Sequence, residues 1–156
     1  MIPCFISTPG THISASNLKT IAIIGSGSLN TQASFDAFNP VAAGYPNATG
    51  FRQVASSIGN SFYLSGGGGA NWGFRYLPTL TSPTTVDIIG QFTGQPGYHD
   101  ARGVSLYAGK LYGTSSPADG SNARVVQIGG AVLPTSATNV FTPLPSMPTF
   151  NPWTLM

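Results

Sequence analysis

The stretch FRQVASSIGNSFYLS at residues 51–65 decides the fold, because it returns fifty residues later as ARGVSLYAGKLYGT at residues 101–114. The second copy is one residue shorter, and both copies read as two short strands around a glycine turn. A period near fifty built from strand-like pieces predicts a propeller or another array of β-repeats. The aligned pairs are Arg52 with Arg102, Val54 with Val104, and Tyr63 with Tyr112.

A second match extends the repeat. Residues 73–78 align with residues 122–127, so that Arg75 is matched with Arg124. Four arginines would then occupy two repeated positions. We interpret them as structural, with each stem packed between units and each guanidinium donating to loop carbonyls, because a structural need recurs in every unit. The functional alternative is a set of guanidinium groups that binds anionic sugars or phosphate.

The composition of the chain favours short strands over helices. Its 156 residues suffice for one domain of ordinary size. Charged residues are only 6% of the chain, against a usual share of about a quarter. The 20 glycines and 13 prolines oppose long helices, while 11% aromatic and 41% hydrophobic residues are enough to form a core. These values predict an all-β domain with many tight turns.

Charge and hydropathy exclude two classes of partner. The formal charge is +2 and the basic residues are scattered, so no nucleic-acid partner is expected. No apolar run reaches the ~20 residues of a membrane span.

Cys4 is the single cysteine. We interpret it as a small buried apolar side chain, with a bridge to another chain as the alternative. The first residues show no signal peptide.

The predicted strands group into blades, each a four-stranded antiparallel sheet. Residues 1–45 form an incomplete first blade that lacks its first strand, residues 46–95 a second blade and residues 96–145 a third. Residues 146–156 are a tail or the start of a further unit. Gly59 and Gly109 are expected to turn the first hairpin of the two complete blades. The candidate strands are 3–7, 20–24, 32–38, 52–57, 61–65, 73–77, 85–89, 102–107, 110–114, 123–128, 138–143 and 149–154.

The segment ARGVSLYAGKLY, followed by RVVQIG and VLPT, resembles a group of uncharacterised secreted β-propeller-like repeat proteins of bacteria and algae. Units of that group read R-x-V-x-I-x-x-G-x-L-Y-x-S and then G-V-x-x-V-G-x-G-L-P-T. The resemblance covers about residues 1–150 and implies a propeller-type fold in an extracellular or cell-surface setting. It implies no reaction and no cofactor, because the group has no known set of catalytic residues.

The resemblance also raises a question of blade number. A closed propeller needs four to eight blades, and this sequence supplies two and a half to three. Three explanations are open: a fragment of a longer chain, assembly with other copies of itself, or an open array of blades. We favour the fragment, which explains the missing signal peptide and the abrupt ends together.

Few residues carry recognisable chemistry. Asn47 begins the sequon Asn-Ala-Thr and is expected to be glycosylated if the protein is secreted by a eukaryote. Trp72 and Arg75 are candidate ligand contacts, because an aromatic face beside a glycine loop suits a sugar ring. The pair His99–Asp100 lacks the partners of a catalytic or metal site. We therefore predict no catalytic, cofactor or metal residues.

The sequence thus favours a non-enzymatic extracellular repeat module with a structural or adhesive role. Its open blade edges predict partners of two kinds, either further copies of itself or the remainder of a longer chain. The first alternative is a carbohydrate-binding propeller module that recognises glycans. The second is a filament or capsid coat subunit, whose composition is also poor in charge and rich in Ser, Thr and Gly.

Overall fold

In the computed structural model of the chain, every assigned element of the described residues is a β-strand. The strands are two to eight residues long and enriched in the β-branched and aromatic side chains that fit a pleated surface. The prediction of an all-β fold is therefore confirmed for this part of the chain. The described residues are 2–5, 19–25, 28–31, 51–57, 59–66, 73–79, 86–88, 100–116, 124–138 and 140–145.

The strands form three antiparallel sheets in which neighbours in the sequence are neighbours in space. Sheet I contains β1 (Ile2–Phe5), β2 (Lys19–Gly25) and β3 (Ser28–Thr31). Sheet II contains β4 (Phe51–Ala55), β5 (Phe62–Gly66), β6 (Gly73–Leu77) and β7 (Val86–Asp87). Sheet III contains β8 (Asp100–Tyr107), β9 (Lys110–Ser116), β10 (Arg124–Ile128) and β11 (Phe141–Pro143).

Sheets II and III share a β-bulge at the same place. The pairing of β4 with β5 shifts between Phe51 and Gln53. The pairing of β8 with β9 shifts between Ala101 and Gly103. A bulge inserts one extra residue into one strand and bends it, so the two sheets are distorted alike. The inserted residues are Arg52 in sheet II and Arg102 in sheet III.

The third strands align differently from the sequence match. Arg75 pairs with Leu64 in sheet II. The same rung of sheet III is formed by Gly113 and Val126. Arg124 lies two residues earlier in β10, so the proposed equivalence of Arg75 and Arg124 is corrected by two positions. The physical reason is that the β9–β10 connection is two residues longer than the β5–β6 connection, measured between the last paired residues.

Sheet II lies between the other two sheets, and one hydrophobic core fills each junction. All five residues of β5 are buried, as expected for a strand covered on both faces. The core between sheets I and II contains Ile21, Phe51, Val54, Phe62, Leu64 and Leu77. The core between sheets II and III contains Tyr63, Phe74, Ile88, Ala101, Val104, Leu111, Val126 and Ile128.

The first strands of the three sheets lie side by side. β1 contacts β4, and β4 in turn contacts β8. β1 therefore takes the first-strand place of sheet I, which differs from the expectation that the first unit lacks that strand. The predicted strands at 32–38 and 149–154 lie outside the described residues, and so does Asn47.

Glycines with positive φ turn the two equivalent hairpins, as the sequence predicts. Gly59 has φ of 76° and Gly109 has φ of 72°. Ala108 also has a positive φ, 49°, so both central residues of the β8–β9 turn adopt the left-handed conformation of a type I′ hairpin. In the longer β4–β5 connection, the Gly59 amide donates to Ser56 Oγ at 2.8 Å.

Gly113 allows sheet III to approach sheet II. A Cβ at this position would overlap the Phe74 ring and lie 2.8 Å from Ile128 Cδ1. We expect Gly113→Ala to lower the free energy of unfolding by about 1–3 kcal/mol through overpacking. Gly130→Ala is the matched control, because its Cβ would meet nothing within 4 Å. Urea denaturation measures both, and equal midpoints for the two variants would contradict the expectation.

Candidate interaction surface

Side chains of sheet II bind the backbone of the bulge in β8. Arg52 Nη1 donates to the carbonyl oxygen of Ala101 at 3.2 Å. The backbone amide of Val104 donates to Gln53 Oε1 at 3.0 Å. A bulge interrupts the ladder and removes backbone groups from their regular partners. These contacts supply hydrogen bonds at that interruption and fix sheet III to sheet II.

Ser65 and Gly103 complete this junction. Ser65 is fully buried, and its hydroxyl donates to the carbonyl oxygen of Arg102 at 3.3 Å. A Cβ at Gly103 would lie 2.8 Å from Gln53 Oε1 and 2.9 Å from Thr114 Oγ1. A side chain at position 103 would therefore have to displace the Gln53 amide and the Thr114 hydroxyl. We call Arg52, Gln53 and Ser65 the bulge clamp.

The remaining predicted site residues are dispersed. Arg75 is half-buried on the face of sheet II that packs against sheet I, with its Nε atom buried. This location agrees with a structural role, and its proposed ligand contact stays a prediction. Trp72 and His99 lie outside the described residues. Among the residues that the structure describes, no three His, Cys, Asp or Glu side chains are grouped to hold a metal ion.

Tyr63 and Tyr112 occupy the same rung of their sheets, opposite Ala55 and Ser105 respectively. The environments of the two tyrosines differ. Tyr63 is buried between sheets II and III, and its ring lies 5.3 Å from that of Tyr76 between centroids. Burial, followed by the charge of Tyr76, raises the pKa of Tyr63 from 10.0 to about 12. Tyr112 is half-buried on the far side of sheet III.

The connection between β10 and β11, residues 129–140, is fixed at both ends, and we call it the clasp loop. The amide of Gly129 donates to the carbonyl oxygen of Val140 at 2.9 Å, which closes the loop on itself. The amide of Thr138 donates to the carbonyl oxygen of Ile88 at 2.8 Å. Since Ile88 follows β7 of sheet II, the loop bridges the two sheets.

The clasp loop holds two apolar side chains in solvent. Leu133 packs against the core between sheets II and III, while Val132 is 79% exposed and Val140 is 50% exposed. The Gln127 amide supports the loop by donating to the carbonyl oxygens of Gly129 and Gly130 at 3.3 Å each. Compact loops with tied ends are frequent interaction sites.

Sheet III has a second surface, the outer face, which points away from sheet II. Cross-strand partners share a face, so the outer face follows from the register of β8 to β11. Tyr107 on this face is 75% exposed. Most of its other side chains are hydroxyls and amides, and Lys110, the cross-strand partner of Tyr107, adds a positive charge. The outer face includes Ser105, Tyr107, Lys110, Tyr112, Thr114, Val125, Gln127 and Thr142.

The sequence did not reveal the residues of these surfaces. Gln53 and Ser65 align with Gly103 and Thr114, so Arg52, which aligns with Arg102, is the one clamp residue whose type is repeated. The clasp loop contains the VLPT motif, but that motif says nothing of which side chains are exposed. The available signals were the repeated arginine at positions 52 and 102 and the glycine at position 103, and glycine has several uses in a strand.

Comparison with known proteins assigns no family to the chain. No family model matches the chain, and no similar protein is found among curated proteins or solved structures. In the described part of the chain no helix has the length and apolar character needed to cross a membrane.

We expect Gln53→Ala to lower the free energy of unfolding by about 1 kcal/mol, because the Val104 amide loses its acceptor. Hydrogen exchange at that amide reports the bond directly and should accelerate. Gln53→Glu is the matched control, because it retains an acceptor oxygen at the same place. Unchanged exchange in Gln53→Ala would show that the bond does not fix the bulge.

The raised pKa of Tyr63 predicts loss of stability in alkali. Below pH 10 both folded and unfolded states keep the Tyr63 proton, so the stabilisation is fully present. Between pH 10 and about 12 the unfolded state ionises first, and the free energy of unfolding falls by about 1.4 kcal/mol per pH unit. In denaturant titrations, Tyr63→Phe should remove the fall in the free energy of unfolding that Tyr63 causes between pH 10 and about 12. The control Tyr107→Phe should leave that fall in place. Equal slopes for wild type and Tyr63→Phe would refute it.

Proposed function

We propose that the chain is a non-enzymatic structural or adhesive repeat module that acts outside the cell or on its surface. Its sheets are blades of a propeller-type array. The observation that carries this proposal is the position of sheet II, which is covered by a neighbouring sheet on each face. In repeat arrays, stability comes from such nearest-neighbour interfaces.

Two further observations support a blade array. First strands lie next to first strands, in the order β1, β4 and β8. The two complete sheets also share their bulge and their register through β5 and β9. A coat subunit built as a two-sheet sandwich would bury one face of each sheet. Three stacked sheets with a doubly buried central sheet favour the array over that alternative.

The clasp loop supports the adhesive part of the proposal. Its exposed residues are Val132, Val140 and small uncharged side chains, on a loop bound to both sheets. A pre-ordered loop loses little conformational entropy on contact. The loop therefore suits adhesion to neutral or apolar surfaces.

The carbohydrate-binding alternative has less support. Its proposed contact Arg75 lies on the face of sheet II that packs against sheet I.

The proposal of a structural or adhesive module includes an extracellular setting, which rests on the resemblance, and glycosylation at Asn47, which rests on the sequon.

The adhesive role predicts that Val132→Ser combined with Val140→Ser reduces retention of the chain on an alkyl-coated sensor several-fold after rinsing. Each exposed valine contributes apolar contact area that serine lacks. Ala137→Ser is the control, because it changes the same loop without removing an exposed large side chain. Retention equal to wild type in the double variant would remove the clasp loop from the proposal.

A further inference from the structure

We infer that the outer face of sheet III binds an acidic glycan, a sugar chain that carries carboxylate or sulfate groups. The site is distinct from the contact through Trp72 and Arg75 that the sequence suggested, because Arg75 lies on the face of sheet II that packs against sheet I. The inference names a ligand class for the proposed adhesive module, and it rests on that proposed function for its extracellular setting.

One continuous row of side chains crosses the outer face on all four strands. The register pairs each residue of the row directly with the next one. Neighbouring strands lie ~4.8 Å apart, so the row is ~14 Å long and can contact several units of a sugar chain laid across the strands. The two ends of the row are exposed and its two central residues are half-buried. We call it the outer row, and it consists of Ser105, Tyr112, Gln127 and Thr142.

The equivalent row of sheet II is apolar. Tyr63 is buried there, while Ala55 and Tyr76 pack against the core between sheets II and III. In the outer row only the tyrosine at the second position is retained, and the other three positions carry hydroxyl or amide groups. The row of sheet II consists of Ala55, Tyr63, Tyr76 and Val86.

The outer row therefore combines one aromatic ring with flanking polar groups, which matches the chemistry of a sugar. The apolar C–H face of a sugar ring stacks on an aromatic side chain, and its hydroxyls reach polar groups around that side chain. Hydroxyls and amides both donate and accept hydrogen bonds, as sugar hydroxyls do. An apolar sheet packed on this face would bury the same polar groups without partners, which costs free energy. The substitutions thus favour a glycan over another sheet.

The Gln127 side chain is already oriented for such a contact. Its Nε2 atom donates to the carbonyl oxygens of Gly129 and Gly130 at 3.3 Å each. The amide nitrogen is thereby engaged, which leaves the Oε1 atom to accept a hydrogen bond from a ligand. A group whose orientation is fixed beforehand loses little conformational entropy on binding.

A second tyrosine and a lysine lie beside the outer row. Tyr107 follows Ser105 by two residues in β8, so it is diagonal to Tyr112 at a spacing of ~7–8 Å that aromatic side chains can bridge. Lys110 is the cross-strand partner of Tyr107, and both side chains are exposed. The outer face therefore offers two rings for stacking and a positive charge next to one of them.

This charge selects among glycans. The ammonium group of Lys110 would pair with a carboxylate or sulfate on a sugar that stacks on Tyr107. The net charge of +2 on the whole chain attracts the same ligands. Because an exposed ion pair alone contributes little, the site depends on the rings as well as on the lysine.

Isothermal titration calorimetry of the full chain with oligogalacturonate and with dextran sulfate tests the site. We expect wild type to bind at least one of these acidic probes more tightly than neutral dextran. Tyr107→Ala should raise the dissociation constant about tenfold, because it removes the exposed ring. Lys110→Gln should raise it about threefold and reduce its dependence on salt.

Two further variants separate stacking from general attraction. Tyr107→Phe keeps the ring and should restore most of the affinity that Tyr107→Ala loses. Asn60→Ala is the matched control, because Asn60 is an exposed residue that follows the turn glycine of sheet II, as Lys110 follows that of sheet III. It should bind like wild type.

Four results would overturn the inference. The first is the absence of binding to both acidic probes at about 1 mM. The second is binding that Tyr107→Ala leaves unchanged, since general charge attraction would then explain it. The third is equal affinity for neutral dextran. The fourth is a dimer in sedimentation equilibrium that Tyr107→Ala dissociates, which would assign the outer face to a second copy of the chain.

The proposed function fails separately from this inference. Retention on the alkyl-coated sensor is measured with the Val132 and Val140 variant, whose substitutions lie in the clasp loop. Loss of glycan binding with intact retention rejects the inference alone. Loss of retention with intact glycan binding rejects adhesion through the clasp loop alone.

Discussion

The docking of the bulge clamp on β8 is the contact on which the arrangement of sheets II and III depends. A bulge makes a strand irregular, and an irregular edge has backbone groups that a regular ladder does not satisfy. Here Arg52 and Gln53 supply partners for those groups from the neighbouring sheet. The irregularity therefore specifies where the next sheet lies, which apolar burial alone would leave free to slide.

Two glycines of sheet III lie next to this docking, and each faces a large side chain of sheet II. Gly103 leaves the space that the Gln53 amide occupies, since a Cβ there would lie 2.8 Å from Gln53 Oε1. Gly113 is required because the Phe74 ring occupies the equivalent space one rung further. The packing of sheet III thus depends on two glycines, each opposite a large side chain of sheet II. The same positions in sheet II hold Gln53 and Leu64, so the two junctions of the stack are not interchangeable.

The sequence predicted the strands of the repeat more accurately than their partners. Arg52, Arg102 and the hairpin glycines fixed the alignment of the first two strands, because bulges and turns place demands on residue type. The third strands were misaligned by two residues, since a single arginine guided the match across connections of different length. Of the clamp, the sequence indicated only Arg52, a repeated residue that was expected to donate to loop carbonyls and that donates to the carbonyl oxygen of Ala101. The contacts of Gln53 and Ser65 could not be predicted, because they join side chains to backbone groups in another sheet and the aligned residues, Gly103 and Thr114, differ in type.

The bond from Thr138 to Ile88 makes the clasp loop dependent on two sheets at once. The loop therefore keeps this conformation only while sheets II and III remain docked. A chain in which sheet III has come loose would free the segment between β10 and β11 for cleavage by proteases. Susceptibility of this segment to limited digestion thus reports the integrity of the stack.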